Sequence, residues 1–411
     1  MKSRKFNILA VLAALLFLAS SAQAAVVVGG SDGWSFSTDG MVNLFGIYQT
    51  GDARPSGVLN GITLSDDQEG FRLRSGFLPG ILAFNIKAPT IGGLDMAARV
   101  GFYPNPQNAN TKNSFSTQID LREIFFTVDG NFGQVMVGKG LSLFLGQNTL
   151  TAMSLMGSGI AGAVGGGGTT LGNIGYGYIY PQFNAQVRYT TPDFHGFKLA
   201  LGIYDPSQIG TSGAIGDGAA RFATKTTTPR VEGELSYAGA YGDTTYKVWG
   251  NFLYQEAEFQ DTGDSVEANG YGGGIQVGFM GFELVASGFG GQALGSTLML
   301  DTDSLDPVNE ERDSMGYLLQ GTYTFDNAYG KTKLGICYGA NEMDETSYEK
   351  GVRTGGGDAE LEEQNMLTFL VSHDINPFLK LVFEYSIAEN QWFDGSDQKV
   401  DLINLGTFFV W

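Results

Sequence analysis

The chain has 411 residues, among them 61 glycines, 29 phenylalanines, 18 tyrosines and one cysteine, with a formal charge of −19 at pH 7. That acidity excludes a nucleic-acid partner, which needs a basic surface, and the lone Cys337 excludes an intramolecular disulfide. Mean hydropathy is near zero and no apolar run beyond residue 24 is long enough to cross a bilayer as a helix, so the apolar residues are dispersed at strand spacing.

Residues 1–24 read as a secretory signal peptide. Lys2, Arg4 and Lys5 make a basic start, an apolar run spans Ile8 to Ala19, and Ala22-Gln23-Ala24 is a cleavage site of the A-x-A kind. Losing those three bases takes the charge from −19 to −22. Residues 25–411 then form a single domain of alternating segments. Tight turns are predicted at Pro89 to Leu94, Asp129 to Gly133, Pro192 to Phe197, Ala240 to Thr244, Met280-Gly281, Asp326 to Lys331 and Asp374 to Phe378. Seven turns join fourteen strands, and the first and last strands make sixteen. Alternation is clear where Val231, Leu235 and Tyr237 oppose Arg230, Glu232, Glu234 and Ser236, and where Leu379, Leu381, Phe383 and Tyr385 oppose Lys380, Glu384 and Ser386. Within Gly70 to Lys87, Pro79-Gly80 predicts a bulge or kink. Acids gather in Glu256 to Glu267, Asp301 to Asp313 and Asp344 to Glu363, each expected to be a long loop on one side of a membrane. At the end, Ile403, Leu405, Phe409 and Trp411 share one parity, which predicts an apolar-outward last strand with Leu405, Phe409 and Trp411 as the signal read by the barrel-assembly machinery. In lipid a closed barrel satisfies every backbone group, so the fold class is an all-β, transmembrane antiparallel β-barrel in the outer membrane of a Gram-negative cell, surrounded by lipid and lipopolysaccharide.

Three stretches resemble Gram-negative trimeric porins. Asp120-Leu121-Arg122-Glu123, followed by Val128 to Lys139 with its Gly130-Asn131-Phe132-Gly133 turn, is similar to that family's strand–turn–strand. Asn184 to Tyr189 followed by Thr191 to Phe197 is similar to the family hairpin, and Asp39 to Tyr48 more weakly resembles its first strand. The resemblance implies sixteen strands, a homotrimer, and a water-filled pore narrowed by the third outer loop folded inward, here running from Leu143 to Tyr180. In the family such a loop carries acids facing a basic wall. This chain has no charged side chain from Gly140 to Val187 and offers Met153, Met156, Tyr176 and Tyr178 instead.

The basic side is the stronger candidate. Arg72 and Arg74 share a face, while Arg99, Arg122 and Arg188 sit opposite apolar neighbours and are expected in the lumen. Lys139 occupies the position at which the resemblance implies a pore-wall base, although alternation with Val135 and Val137 would turn it outward. These bases could equally be ordinary lumen residues paired with Asp120, Glu232 or Glu234. Asp301 to Asp306 has part of a calcium loop's spacing but lacks its glycine. Tyr48, Trp249, Tyr254, Trp392 and Trp411 suit membrane-interface girdles. Ser372 beside His373 gives no sign of a nucleophile and base within reach of each other. The expectation is a non-enzymatic channel without cofactor that passes small hydrophilic solutes and ions by diffusion. The alternatives are a channel selective for a sugar or small organic anion, and a plugged barrel acting as enzyme or adhesin.

Overall fold

The computed structural model describes residues 25–61, 69–107, 119–162, 168–211 and 221–411. The signal-peptide segment lies outside them, as do three glycines of the Gly165 to Gly168 run. Sixteen strands follow one another: β1 (Ser35–Gly51), β2 (Gly70–Arg74 and, after a break, Ile81–Lys87), β3 (Asp95–Pro104), β4 (Ile119–Gly130), β5 (Gly133–Leu141), β6 (Phe183–Thr190), β7 (Phe197–Tyr204) and β8 (Arg230–Tyr241). They continue as β9 (Thr244–Glu258), β10 (Ser265–Phe279), β11 (Phe282–Gln292), β12 (Asp313–Asn327), β13 (Gly330–Met343), β14 (Leu361–Asn376), β15 (Leu379–Trp392) and β16 (Asp397–Val410). Each pairs antiparallel with its predecessor, and β1 pairs with β16 from Met41 opposite Val410 to Gly51 opposite Val400, so the sheet closes. All seven predicted tight turns fall between consecutive strands.

The closing strand shows why this sequence makes a wall with two solvents. Leu402, Asn404 and Phe408 are buried inside, whereas Leu405 is 64% and Phe409 53% exposed on the outer face. Period-two alternation delivers one set to lipid and the other to the lumen. At the seam, Gly40 and Trp411 exchange two backbone hydrogen bonds of 3.0 Å. A Cβ on Gly40 would lie 2.5 Å from the Trp411 ring and 2.3 Å from the Ile81 carbonyl oxygen, so the closure requires glycine there. A short strand, Val26–Gly29, continues along β1 beyond this point, against Phe36 to Thr38.

The expected kink in β2 is a break over residues 75–80. Asn43 on β1 fills it, donating to the carbonyls of Leu78 at 2.9 Å and Pro79 at 3.2 Å and accepting the Gly76 N–H at 2.8 Å. A second irregularity lies between β3 and β4, where Gly101 pairs with Glu123 but Tyr103 with Asp120, leaving Leu121 and Arg122 opposite Phe102. This is a bulge, and it reverses the facing of side chains above it.

The acidic clusters behave differently from one another. Asp301 to Asp313 and Asp344 to Glu363 are dominated by long connections, the latter containing a helix, α2 (Ser347–Thr354), whose first turn is closed by a Thr346–Glu349 capping box. Glu256 to Glu267 is a correction: β9 runs to Glu258 and β10 begins at Ser265, so half of that stretch is strand and the connection itself is short. The sequence alternates there too, with Gln255, Ala257 and Phe259 buried and the carboxylates of Glu256 and Glu258 turned outward. The girdle expectation is corrected in two places. Trp249 and Trp392 face inward, the indole of Trp249 donating to Asn148 at 2.9 Å and that of Trp392 to the Leu59 carbonyl at 2.9 Å, while Tyr48 and Tyr254 are on the outer face.

If the β1–β16 seam faces hydrocarbon, a guanidinium at the mid-strand position 405 carries a heavier penalty than one near the strand end. Leu405→Arg is therefore expected to lower the unfolding free energy by about 2–4 kcal/mol, and Phe409→Arg by about 0–1. Equilibrium denaturation of the barrel in lipid vesicles measures both, and equal effects at the two positions would contradict the placement.

Candidate functional site

The connection from β5 to β6, residues 142–182, is the part of the chain that the wall treats most specifically. It contains α1 (Gly146–Thr151) and a 3-10 turn at Met153–Met156. With no charge of its own, it takes its polar partners from inward residues of distant strands. Glu232 on β8 accepts the N–H groups of Leu143 at 2.8 Å and Phe144 at 2.9 Å. Glu384 on β15 accepts the Ser158 N–H and hydroxyl, both at 2.6 Å, and the Gly159 N–H at 3.0 Å. Gln320 on β12 accepts the Met153 N–H, Asn341 on β13 accepts that of Gly177 at 2.9 Å, and Asn404 on β16 donates to the Gly159 carbonyl at 3.3 Å. The wall's acids thus hold the loop's amides, the reverse of a loop that carries acids toward a basic wall.

The loop's apolar side chains pack on the inner wall. Met153, Leu155, Ile160, Ile174, Tyr176 and Tyr178 share one buried cluster with Phe45, Leu318, Met366, Val382 and Phe408. Tyr176 and Tyr178 are fully buried, the former donating to Asn390 at 2.8 Å, so the residues expected to present a loop surface to the lumen are turned into the wall. Burial holds both phenols above their ordinary range. Met153 is buried with them, and Met156 packs at the cluster's edge.

The six candidate bases separate into different roles. Arg74 is buried and donates to the carbonyls of Ala161 at 3.0 Å, Gly168 at 3.3 Å and Thr169 at 2.5 Å, which makes it a loop anchor. Arg72 shares its inner face, opposite Ile47 as Arg74 is opposite Phe45. Arg99 is held between Asp39 at 2.8 Å and Glu123 at 2.7 Å, with Tyr103 donating to the same Glu123 carboxylate. Arg122 is brought beside the inward Tyr103 by the β4 bulge. Its guanidinium lies 5.7 Å from that ring and 5.8 Å from Phe183, and it donates to Asp120 at 2.7 Å. Arg188 is inward and buried on β6, in line with Met136. Lys139 is the correction: it pairs with Ile124 and Ala185, whose side chains are exposed on the outer face, so strict alternation prevails over the position implied by resemblance. Sequence reasoning missed Glu232 and Glu384 as loop holders, although their inward parity was legible.

Other groups find local duties. Asp303 accepts the Ser296 N–H at 3.0 Å and its hydroxyl, and Asp306 accepts the N–H groups of Val308 and Glu310 and the Thr346 hydroxyl. Arg312 bridges the two long connections, 3.0 Å from Glu360 and donating to Glu349 at 2.7 Å. Ser372 is inward and pairs with Lys333, while the adjacent His373 faces the other way and meets the Thr332 hydroxyl at 2.9 Å, so the two cannot act together.

A closed sheet that is apolar outside and polar inside, with an uncharged connection fixed to its inner face, defines an outer-membrane β-barrel channel. The sequence matches the family model of Gram-negative porins over residues 9–391, and the chain belongs to that family. It is a passive diffusion channel of the outer membrane. No curated protein matches the chain. Among solved structures it is similar to the outer membrane channel DcaP of Acinetobacter baumannii, with 16% identity over 94% of this chain and 100% of that one and a TM-score of 0.69. It is also similar to an anion-selective porin from Comamonas acidovorans, at 14% identity over 92% and 100% and a TM-score of 0.61. The OmpF of Salmonella typhi solved with daunomycin gives 11% identity over 92% and 98%, with a TM-score of 0.56.

If Glu384 and Glu232 hold separate parts of the connection, each should act locally. Glu384→Ala is expected to speed amide exchange at Ser158 and Gly159 by roughly tenfold or more while leaving Leu143 and Phe144 unchanged, and Glu232→Ala to do the converse. Exchange monitored by mass spectrometry reads both; a uniform effect on all four amides would mean that the connection opens as a unit.

Proposed function

We propose that residues 142–182 narrow the channel, that the remaining aperture passes small hydrophilic solutes by size exclusion with weak charge preference, and that three barrels assemble. The spread of the loop's anchors carries the first part. Its stem joins β5 to β6, yet its hydrogen-bond partners lie on β8, β12, β13, β15 and β16, and Arg74 reaches it from β2. A connection tied to walls on opposite sides of a closed barrel occupies its interior.

Charge preference follows from what the wall bases are doing. Arg74 keeps its positive charge on neutral loop carbonyls, Arg99 faces two carboxylates, Asp39 and Glu123, and Arg122 faces one, Asp120, so the three bases meet three acids. The acids of the outer connections lie in water, where their field is screened beyond ~10 Å at 0.1 M salt. The interior is accordingly neutral to weakly anion-selective despite the acidic chain. The family and fold point to a non-enzymatic channel, exported by residues 1–24 and inserted through the strand carrying Leu405, Phe409 and Trp411.

Lys139 supports assembly. On the outer face between Ile124 and Ala185, it would cost about 2–4 kcal/mol if it met hydrocarbon at the midplane. A neighbouring barrel covering β4 to β6 removes that exposure.

Single-channel recording tests the loop: Glu384→Ala should raise conductance, and faster exchange at Ser158 without a conductance change would show that the narrowing lies elsewhere. Native mass spectrometry in mild detergent should give three copies, with a monodisperse monomer removing the trimer. In a salt gradient at high ionic strength the reversal potential should sit near zero or on the anion side; strong cation selectivity would contradict the balance of charges described.

A further inference from the structure

We propose that residues 296–300, in the connection from β11 to β12, form a crossbar that spans the barrel from wall to wall, closes one side of its mouth and sets the aperture together with the β5–β6 connection. The proposal deepens the channel reading and rests on it. At one end the Ser296 carbonyl accepts the side-chain amide of Asn341 on β13 at 2.8 Å, and the Thr297 hydroxyl donates to Gln364 on β14 at 3.5 Å. At the other end the Met299 carbonyl accepts the side-chain amide of Gln182 at 2.8 Å, and the Thr297 carbonyl accepts the Tyr180 N–H at 2.8 Å. Gln182 belongs to the wall at the root of β6, since its carbonyl accepts the Ser142 N–H at 2.9 Å. β6 and β14 stand half a circuit apart in the closed sheet. The step from Ser296 to Met299 covers at most about 10 Å, and the side chains of Asn341 and Gln182 complete the span.

The bar has a closed side. Toward β7 to β12, Ile179 of the β5–β6 connection, Ile209 of the β7–β8 connection, and Met299 and Leu300 pack with the wall residues Leu253 and Phe289 in one cluster, none of them more than 6% exposed. The Gly210 N–H donates to the Leu300 carbonyl at 3.2 Å, and the Gly210 carbonyl accepts the Leu305 N–H at 3.0 Å, so the β7–β8 connection is stitched to the bar as well. An apolar filling packed like a protein interior leaves a hydrated solute no route. The passage is thereby confined to the side of β15, β16 and β1 to β5. Leu298, paired beside Tyr180 and 41% exposed, is the residue of the bar that the geometry assigns to the rim of the aperture.

The backbone of this segment gives an independent observation. Ala293 at φ +53 and Leu300 at φ +66 are both left-handed, a conformation that residues with a side chain hold only where their surroundings impose it. Gly295, at φ +81, makes the bend between them, where a Cβ would come within 2.7 Å of an Asp303 carboxylate oxygen. That carboxylate accepts the Ser296 N–H at 3.0 Å, and the Leu300 N–H donates to the Leu294 carbonyl at 3.0 Å, so the root of the bar is fixed on both sides. Asn341 joins the bar to the β5–β6 connection. The side chain that holds Ser296 also donates to the Tyr178 carbonyl at 3.3 Å and accepts the Gly177 N–H at 2.9 Å. No residue from Ser296 to Leu300 is charged, so the bar acts by size and not by field.

Single-channel recording of the full-length protein in planar bilayers tests the bar. Replacing residues 297–300 by a Gly-Ser pair should raise potassium chloride conductance by about twofold or more and admit larger neutral polyethylene glycols. Leu298→Cys leaves the bar in place and keeps the test open should the shortened chain fold poorly. A bulky maleimide attached there should lower conductance by about half, while the wild-type protein, whose Cys337 is buried, should not respond. A folded shortened chain with wild-type conductance, or a labelled Leu298→Cys protein that conducts as it did before labelling, would overturn the crossbar. So would a rise in Glu384→Ala with none in the shortened chain, which leaves the narrowing to the β5–β6 connection alone. A wild-type barrel that inserts without conducting would instead overturn the channel reading. Amide exchange then decides the bar: Tyr180 should exchange roughly tenfold faster in the shortened chain with Ser158 and Gly159 unchanged, and an unaltered Tyr180 would remove the crossbar as well.

Discussion

Everything in this molecule depends on closure of the sheet between β1 and β16. In hydrocarbon an unpaired backbone group costs several kcal/mol, so a strand edge there has to meet another edge of the same chain. The seam meets that demand with a continuous register from Met41 to Gly51 against Val410 to Val400, finished by the paired amides of Gly40 and Trp411. Once closed, the sheet turns alternation into a division between lipid and lumen, and each inward side chain must find its partner among other inward groups.

That second demand explains the unusual β5–β6 connection. An apolar, uncharged segment placed against a polar wall brings its own amides and carbonyls with it, and these require partners. Glu232, Glu384, Gln320 and Asn341 supply acceptors, while Arg74 and Asn404 supply donors. Two of the wall's carboxylates are thereby converted from pore charges into structural holders. The same economy runs through Arg99 with Asp39 and Glu123, and through Arg230 with Glu232. Counting charged residues in the sequence therefore says little about the field a permeating ion meets; the paired groups have to be removed from the count first.

The mouth obeys the same rule at a different place. Arg312 holds α2 and the connection before β12 together through Glu349 and Glu360, and Asn60 from the first connection donates to Glu360 at 2.5 Å. Burial alone would lower the affinity of Arg312 for its proton, but Glu360 and Glu349 outweigh it and hold the guanidinium above its ordinary range. Removing one partner of such a set leaves buried charge behind, which is why these loops are ordered by ion pairs that contribute modestly when intact.

Periodicity determined a great deal by itself: the seven tight turns, the sixteen strands, the outward set Ile403, Leu405 and Phe409, and the inward set Arg230, Glu232 and Glu234 all follow from a period of two and from turn chemistry, which are local properties. Alternation also told the truth about Lys139 where a family position did not. What it could not resolve were events that need a second strand. The bulge that carries Arg122 toward Tyr103 exists only as a mismatch between β3 and β4, and the inward indoles of Trp249 and Trp392 are fixed by Asn148 and Leu59, far away in the chain. Which bases are spent and which remain is likewise a pairing between residues dozens to hundreds of positions apart, as with Glu384 and Ser158. Local sequence sets the face on which a side chain stands, and only the closed barrel decides what stands opposite it.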